Sequence, residues 1–256
     1  MELRSYQSEA VWAAYAALLQ NKNPVLQLAT GTGKSLIIAE LAKLYAQEGK
    51  RVWILTHVQQ LVKQNSATFK KYTGQDAGII CAGLNRKDTQ ELITFATIQS
   101  ITGLLGEMEH PDLIIIDEAH RVPHNHGEPT LYESILRRFK KCSRVAMTAT
   151  PWRMDNGIIY GDGEEFFFDT LAYNYNVTKA VEDEWLCPVK SLDTLASNRN
   201  HLAVYCPTVK SAEWTSRLIN SSTGRSSAVL TGGMTQDERE TVLSQLEDGT
   251  ISAICS

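Results

Sequence analysis

Apolar positions along the chain form two kinds of segment that alternate. Short β-rich apolar runs occupy 24–28, 52–55 and 112–116. Between them, apolar residues recur every three or four positions. Val11, Ala14, Tyr15 and Leu18 put one stripe on 5–20, and Leu36, Ile37, Leu41 and Leu44 put another on 35–47, so both segments read as amphipathic helices. Helix 57–72, strands 77–81 and 92–96, helix 129–140 and strand 144–148 continue the rhythm. The run Asp112-Leu-Ile-Ile-Ile116 is apolar without alternation, as expected of a strand buried on both faces. The alternation predicts an α/β fold, a parallel sheet with helices on both faces. Residues 151–176 break the pattern with Gly157, Gly161, Gly163 and the aromatics Phe166 to Phe168, Tyr173 and Tyr175. They read as a connector that packs on something. A second alternating block follows: strand 202–205, helix 209–220, strand 228–230, helix 235–247 and strand 251–255.

Length fits this division. At about 150 residues per domain, 256 residues exceed one domain and fall short of two. The expectation is a first domain over 1–188, a linker over 189–200 and a partial second domain over 201–256. Composition is that of a globular protein, with 43% apolar and 21% charged residues. The net charge of −4 excludes a globally basic nucleic-acid binder while leaving room for a local phosphate-binding surface. The five cysteines, at 81, 142, 187, 206 and 255, contain no CxxC pair, which points to a reduced, cytoplasmic chain without a cysteine zinc site. The N-terminus is polar, and every apolar run is far shorter than the roughly 20 residues of a membrane span, so no membrane partner is expected.

Two segments carry chemistry. Ala29-Thr-Gly-Thr-Gly-Lys-Ser35 lies between a strand and a helix. Gly31 and Gly33 let backbone N–H groups turn toward phosphate oxygens, and the helix start adds its positive dipole end. Lys34 supplies a cation for the β- and γ-phosphates, and Ser35 supplies a hydroxyl for Mg²⁺. The broad pattern GxxxxGK[ST] wants glycine where Leu28 stands, so only the narrower TGxGK[ST] variant is met. The second segment is Asp117-Glu-Ala-His120, directly after the apolar strand. Phosphoanhydride hydrolysis needs a carboxylate for the metal and a group to orient water. Asp117 suits the first role and Glu118 the second, at the carboxyl edge where open α/β sheets bind ligands.

With these boxes in this order, the chain resembles the superfamily 2 DEAD/DEAH-box helicases. The similarity extends to Leu3-Arg-Ser-Tyr-Gln-Ser-Glu-Ala10, Leu55-Thr-His-Val-Gln-Gln-Leu-Val62, Thr94-Phe-Ala-Thr-Ile-Gln-Ser100 and Thr148-Ala-Thr150 followed by Pro151. The resemblance is closest to RadD-like bacterial DNA-repair ATPases. It is carried by Ala82-Gly-Leu-Asn-Arg-Lys87, Asp117-Glu-Ala-His-Arg121, Thr148-Ala-Thr-Pro-Trp-Arg153 and Ala180-Val-Glu-Asp-Glu-Trp-Leu-Cys-Pro188. It implies a RecA-like lobe followed by part of a second, with ATP and Mg²⁺ as cofactors. Arg4, Gln7, Thr30, Gly31, Thr32, Gly33, Lys34 and Ser35 would hold the nucleotide, with Gln7 reading adenine. Ser35 and Asp117 would hold Mg²⁺, and Lys34, Asp117 and Glu118 would be catalytic. Thr56, Thr97 and Gln99 would touch single-stranded or duplex DNA, RNA being an alternative. His120, Thr148 and Thr150 would couple the two sites. DNA-repair proteins would be possible partners. Family members also carry motifs V and VI, the latter with an arginine finger, and RadD-like members carry a zinc-binding tail. None of these is in the sequence, so it reads as truncated.

Two rivals stand beside this reading. The motor subunit of a type I or III restriction system shares the same ATP core, and a nuclease motif or recognition domain would support it. A catalytically impaired nucleotide- and DNA-binding fragment is the other. Weaker features read as structural. His120, His124 and His126 form a solvent loop rather than a metal site. Lys70, Lys71, Arg137, Arg138, Lys140 and Lys141 are solvated helix faces, and Phe166 to Phe168 pack at the lobe junction.

Overall fold

The computed structural model describes residues 2–122, 130–153, 157–163, 165–187, 202–204, 206, 208–224 and 226–255. The proposed linker 189–200, His124, His126 and Tyr205 lie outside the described residues. The chain divides into two compact units, Met1–Cys187 and Pro188–Ser256.

The first unit is built on one sheet. Its strands are β1 (Pro24–Leu28), β2 (Val52–Thr56), β3 (Gly78–Cys81), β4 (Arg86–Lys87), β5 (Ile93–Thr97), β6 (Leu113–Asp117), β7 (Ser143–Thr148) and β10 (Thr170–Tyr175). A separate short antiparallel pair, β8 (Trp152–Arg153) and β9 (Gly157–Ile158), precedes the last of them. The sheet order is β10-β1-β7-β6-β2-β5-β3-β4, and every pairing is parallel except β3 with β4. Helices α1 (Ser5–Leu19), α2 (Lys34–Gln47) and α3 (Gln59–Thr73) share one apolar layer with Leu26, Leu28, Val52, Ile54, Leu113, Ile115, Val145 and Met147. The alternate strand residues Val25, Trp53, Leu55, Ile114, Ile116 and Ala146 pack in a second layer against α4 (Ile98–Thr102) and α5 (Leu131–Arg138). Apolar residues on both faces of each central strand are thus the two-sided burial that the unbroken runs predict. A capping box between Thr130 and Glu133 starts α5, later than the pattern alone places it.

The segment 151–176 is more than a connector. Its last part is β10, an edge strand paired in parallel with β1, and α6 (Val177–Glu182) follows it. The sequence Thr-Leu-Ala-Tyr-Asn-Tyr is too polar to read as a buried strand, because only one of its strand edges is covered. Phe167 and Phe168 belong to the second apolar layer of this same unit. The buried Arg144 donates to the carbonyls of Leu136 and Phe167 and so ties the segment to β7 and α5. Phe168 is 1% exposed. Phe168→Ala is therefore expected to destabilise the chain by about 3–5 kcal/mol. A denaturant midpoint within error of the parent would show that this segment is not core.

The second unit contains β11 (Leu202–Val204), α7 (Val209–Thr223), β12 (Ser227–Val229), α8 (Gln236–Glu247) and β13 (Ala253–Cys255). Its strands form a parallel sheet in the order β11-β13-β12. Thr208 and Thr235 cap α7 and α8. Ala212, Ile219, Ala253 and Cys255 form a small apolar cluster.

Candidate nucleotide site and its surroundings

The parallel strands of the first unit end along one edge of the sheet. In spatial order β1, β7, β6, β2 and β5 end at Leu28, Thr148, Asp117, Thr56 and Thr97. β7 lies between β1 and β6, so Thr148 separates the phosphate loop from the acidic box. This order explains why residues far apart in the chain meet.

Gly31 and Gly33 have φ of +86° and +76°, in the left-handed region that glycine occupies without strain. At Gly33, which caps α2, an added Cβ would lie 2.6 Å from Nε2 of Gln7. The loop is held from below by α1. Tyr6 Oη and Gln7 Nε2 both donate to the carbonyl of Thr32, at 2.7 and 2.9 Å. The Thr32 hydroxyl donates to the carbonyl of Ala29 at 2.6 Å. Thr30 and Gly31 are exposed at the loop tip.

Gln7 is 1% exposed and both ends of its amide are engaged, since Oε1 accepts from the Arg4 N–H at 2.9 Å. Gln7 thereby braces the loop, and the two bonds use one of its two amide N–H donors and one of the two lone pairs on Oε1. Arg4 is exposed, with its guanidinium 3.9 Å over the ring of Trp185. Tyr6 stacks on Tyr175 at 4.1 Å. Tyr6 and Trp185 were not singled out from the sequence. Their signal was the aromatic beside Gln7 and the tryptophan of the 180–188 motif.

Lys34 Nζ lies 3.3 Å from Glu118 Oε1. It is buried, and this ion pair lacks hydrogen-bond geometry, so among the described residues the ammonium has no hydrogen-bond partner. A buried ammonium at a helix start beside a glycine cradle fits an anionic group such as phosphate. Ser35 Oγ donates to Asn65 Oδ1 at 2.7 Å, and Asn65 Nδ2 donates to Asp117 Oδ2 at 3.0 Å. A hydroxyl and a carboxylate joined in this way are hard oxygen donors, which fit Mg²⁺.

The two carboxylates of the acidic box sit in different environments. Asp117 is 3% exposed, and burial raises its pKa, outweighing the Asn65 hydrogen bond and the Lys34 charge. Glu118 is held down to about 2, first by its hydrogen bond with His120 and then by the charge of Lys34. Glu118 is itself in the left-handed region, at φ +57°. His120 Nδ1 lies 3.3 Å from Glu118 Oε2 and 3.1 Å from Thr148 Oγ1. The Thr148 hydroxyl donates to the carbonyl of Thr150 and accepts from its N–H, at 3.2 and 3.1 Å. Lys34, Glu118, His120, Thr148 and Thr150 therefore form one continuous chain of contacts.

The three residues expected to touch nucleic acid are placed differently. Gln99 is exposed. Thr97 is 7% exposed, and its hydroxyl meets Ser100 Oγ at 2.8 Å. Thr56 is 1% exposed with its hydroxyl buried, at the end of β2 where it pairs with Thr97 of β5. Next to it, His57 has its pKa lowered by burial and by the charges of Arg121 and His120. Among the described residues no cluster of His, Cys, Asp and Glu suits a metal ion, and no helix is long and apolar enough to cross a membrane.

Residues 1–153 match the family described as Type III restriction enzyme, res subunit. A 51.5 kDa protein of Lactococcus phage (isolate 7-9) is 30% identical over 164 residues, covering 64% of this chain and 31% of the phage protein. A protein of African swine fever virus described as a probable helicase is 26% identical over 205 residues, covering 71% of this chain and 23% of its own length. The chain thus spans less than a third of either relative. Among solved structures, a nuclease-deletion mutant of the Type ISP restriction-modification enzyme LlaGI, in complex with a DNA substrate mimic, superposes with a TM-score of 0.72 at 19% identity. That match covers 99% of this chain and 24% of the other. The fold is therefore that of RecA-like helicase lobes. With the family matched over more than half of its length, the chain belongs to the type III restriction enzyme res-subunit family of superfamily 2 helicase-type ATPases.

Proposed function

We propose that the first unit binds and hydrolyses ATP with Mg²⁺, and that hydrolysis is coupled to movement along DNA. The observation that carries this reading is the contact chain from Lys34 through Glu118, His120 and Thr148 to Thr150. In it, Lys34 and the loop amides bind the phosphates, and Ser35 and Asp117 bind the ion. Bound there, Mg²⁺ would neutralise phosphate charge. Glu118, held ionised, orients the attacking water and accepts its proton. Because Glu118 shares His120 with Thr148, a change at the phosphates alters the end of β7. Arg4 and Gln7 hold the adenine, Gln7 through the amide N–H and the Oε1 lone pair that its bracing leaves over.

DNA is favoured as the track because the LlaGI structure that covers nearly the whole chain is described with a DNA mimic. The family match favours the motor of a restriction system as the setting. A RadD-like role in DNA repair, with repair proteins as partners, rests on the motifs at 82–87, 148–153 and 180–188. The exposed Gln99 and its neighbour Thr97 are proposed to meet the phosphate backbone, which gives affinity without sequence reading.

The test is equilibrium binding of a fluorescent ATP analogue with Mg²⁺, together with binding of single-stranded DNA, duplex DNA and RNA across a salt series. Nucleotide binding is expected, and DNA affinity should fall steeply with salt through counterion release. A Thr97→Ala, Gln99→Ala double variant should lose about tenfold in DNA affinity, the worth of one or two hydrogen bonds. Parental DNA binding by that variant places the track elsewhere. No binding of the ATP analogue sinks the central reading.

A further inference from the structure

Asn65 belongs to neither the phosphate loop nor the acidic box, yet it joins them. It lies on the buried side of α3, between Val62 and Phe69, and is 1% exposed. The orientation of its amide follows from its partners. The NH₂ group donates to Asp117 Oδ2, 3.0 Å away. The carbonyl oxygen then faces Ser35, whose hydroxyl must donate to it, at 2.7 Å. The Ser35 proton is thereby committed to Asn65, and both lone pairs of Oγ remain available. Asp117 Oδ1 takes the N–H of Glu118 at 3.0 Å, so each carboxylate oxygen accepts one hydrogen bond and keeps further lone-pair capacity.

We propose that Asn65 is a positioning residue that presents Ser35 and Asp117 to a divalent cation as a preset pair. The proposal rests on the ATP–Mg²⁺ reading above. A hydroxyl that ligates a metal directs a lone pair at the ion and needs an acceptor for its proton, and Asn65 supplies that acceptor. Its amide also fixes the rotation of the Asp117 carboxylate. Outer-shell partners of this kind are worth about 10–100-fold in metal affinity.

The experiment compares the affinity of the full chain for a fluorescent ATP analogue in excess Mg²⁺ and in EDTA. Manganese binding in the presence of ATP is followed in parallel by electron paramagnetic resonance. Asn65→Leu has similar size and lacks both polar groups. It is expected to keep the parental affinity in EDTA within about twofold and to lose about 10–100-fold of the gain that Mg²⁺ gives. Asn65→Ala serves as a second variant if circular dichroism shows the leucine variant to be unfolded, and Asn65→Gln should restore part of the metal dependence. A folded variant with the parental ratio of the two affinities overturns the proposal. An equal loss in Mg²⁺ and in EDTA also overturns it, because that would mean Asn65 only packs the site. If the parent itself shows no Mg²⁺-dependent nucleotide binding, the ATP reading fails. A normal parent beside an unaffected variant defeats the Asn65 proposal alone.

Discussion

Lys34→Ala is expected to weaken ATP binding by about 10–100-fold, the equivalent of one charge-assisted hydrogen bond of roughly 1.5–3 kcal/mol. The size follows from the environment of the ammonium. Its side chain is 11% exposed, it forms an ion pair with Glu118 at 3.3 Å, and no hydrogen bond among the described residues satisfies it. Such a group gains from an incoming phosphate what it lacks in the free protein. Lys34→Arg should recover little, because the guanidinium fork does not match the space of a compact ammonium. The variant has a second expected effect. Without Lys34, Glu118 keeps the hydrogen bond from His120, the largest single cause of its depressed pKa, and loses the charge of Lys34. The carboxylate therefore stays ionised at neutral pH, so lost activity does not come from protonation of Glu118. Titration calorimetry with ATP and Mg²⁺ measures the affinity directly. Equal affinity for variant and parent would remove Lys34 from the site.

Much of this site was legible because its residues occupy sequence contexts with one physical meaning. A strand, a glycine-rich turn and a helix can hardly end in Lys34-Ser35 without pointing amides and an ammonium at one place. An apolar strand that ends in Asp117-Glu118 delivers carboxylates to the same edge. The β10 strand was not legible, because an edge strand with the sequence Thr-Leu-Ala-Tyr-Asn-Tyr carries neither alternation nor a continuous apolar run. The burial of Thr56 was not legible for a different reason. Its place at the end of β2 was right, but burial there depends on neighbouring strands that are adjacent only in space. Asn65 left a faint trace. It falls on the same helical face as Val62 and Phe69, a polar residue in a buried stripe, and such a residue must have partners. Those partners lie 30 and 52 residues away, which no local pattern reports.

Turnover by residues 1–256 alone is expected to be slow, below that of an arginine-assisted NTPase by about 10³–10⁵. That is roughly 4–7 kcal/mol of barrier. An arginine that stabilises charge on the transferring phosphoryl group must be exposed and uncommitted until it meets the phosphates. In the second unit Arg239 donates to the carbonyls of Thr231 and Gly232 and so closes the turn before α8. Arg217 is exposed and lies 3.8 Å from Glu213 one turn away on α7, the arrangement of an ordinary solvated helix pair. Arg225 lies outside the described residues. Glu118 remains able to orient water, so a basal rate is expected, and Glu118→Gln should reduce it by about 10²–10⁴. That variant should leave ATP binding near the parental level, because glutamine keeps the shape of the side chain and relieves a negative charge beside the phosphates. Single-turnover hydrolysis of labelled ATP, with and without single-stranded DNA, distinguishes the outcomes. A slow, Glu118-dependent rate agrees with the site as built. Fast DNA-stimulated turnover that is lost in Glu118→Gln would show that an arginine does reach the phosphates, from Arg217 or Arg225 of the same chain or from a second copy. Substituting those two arginines in turn, and varying protein concentration, would then identify which.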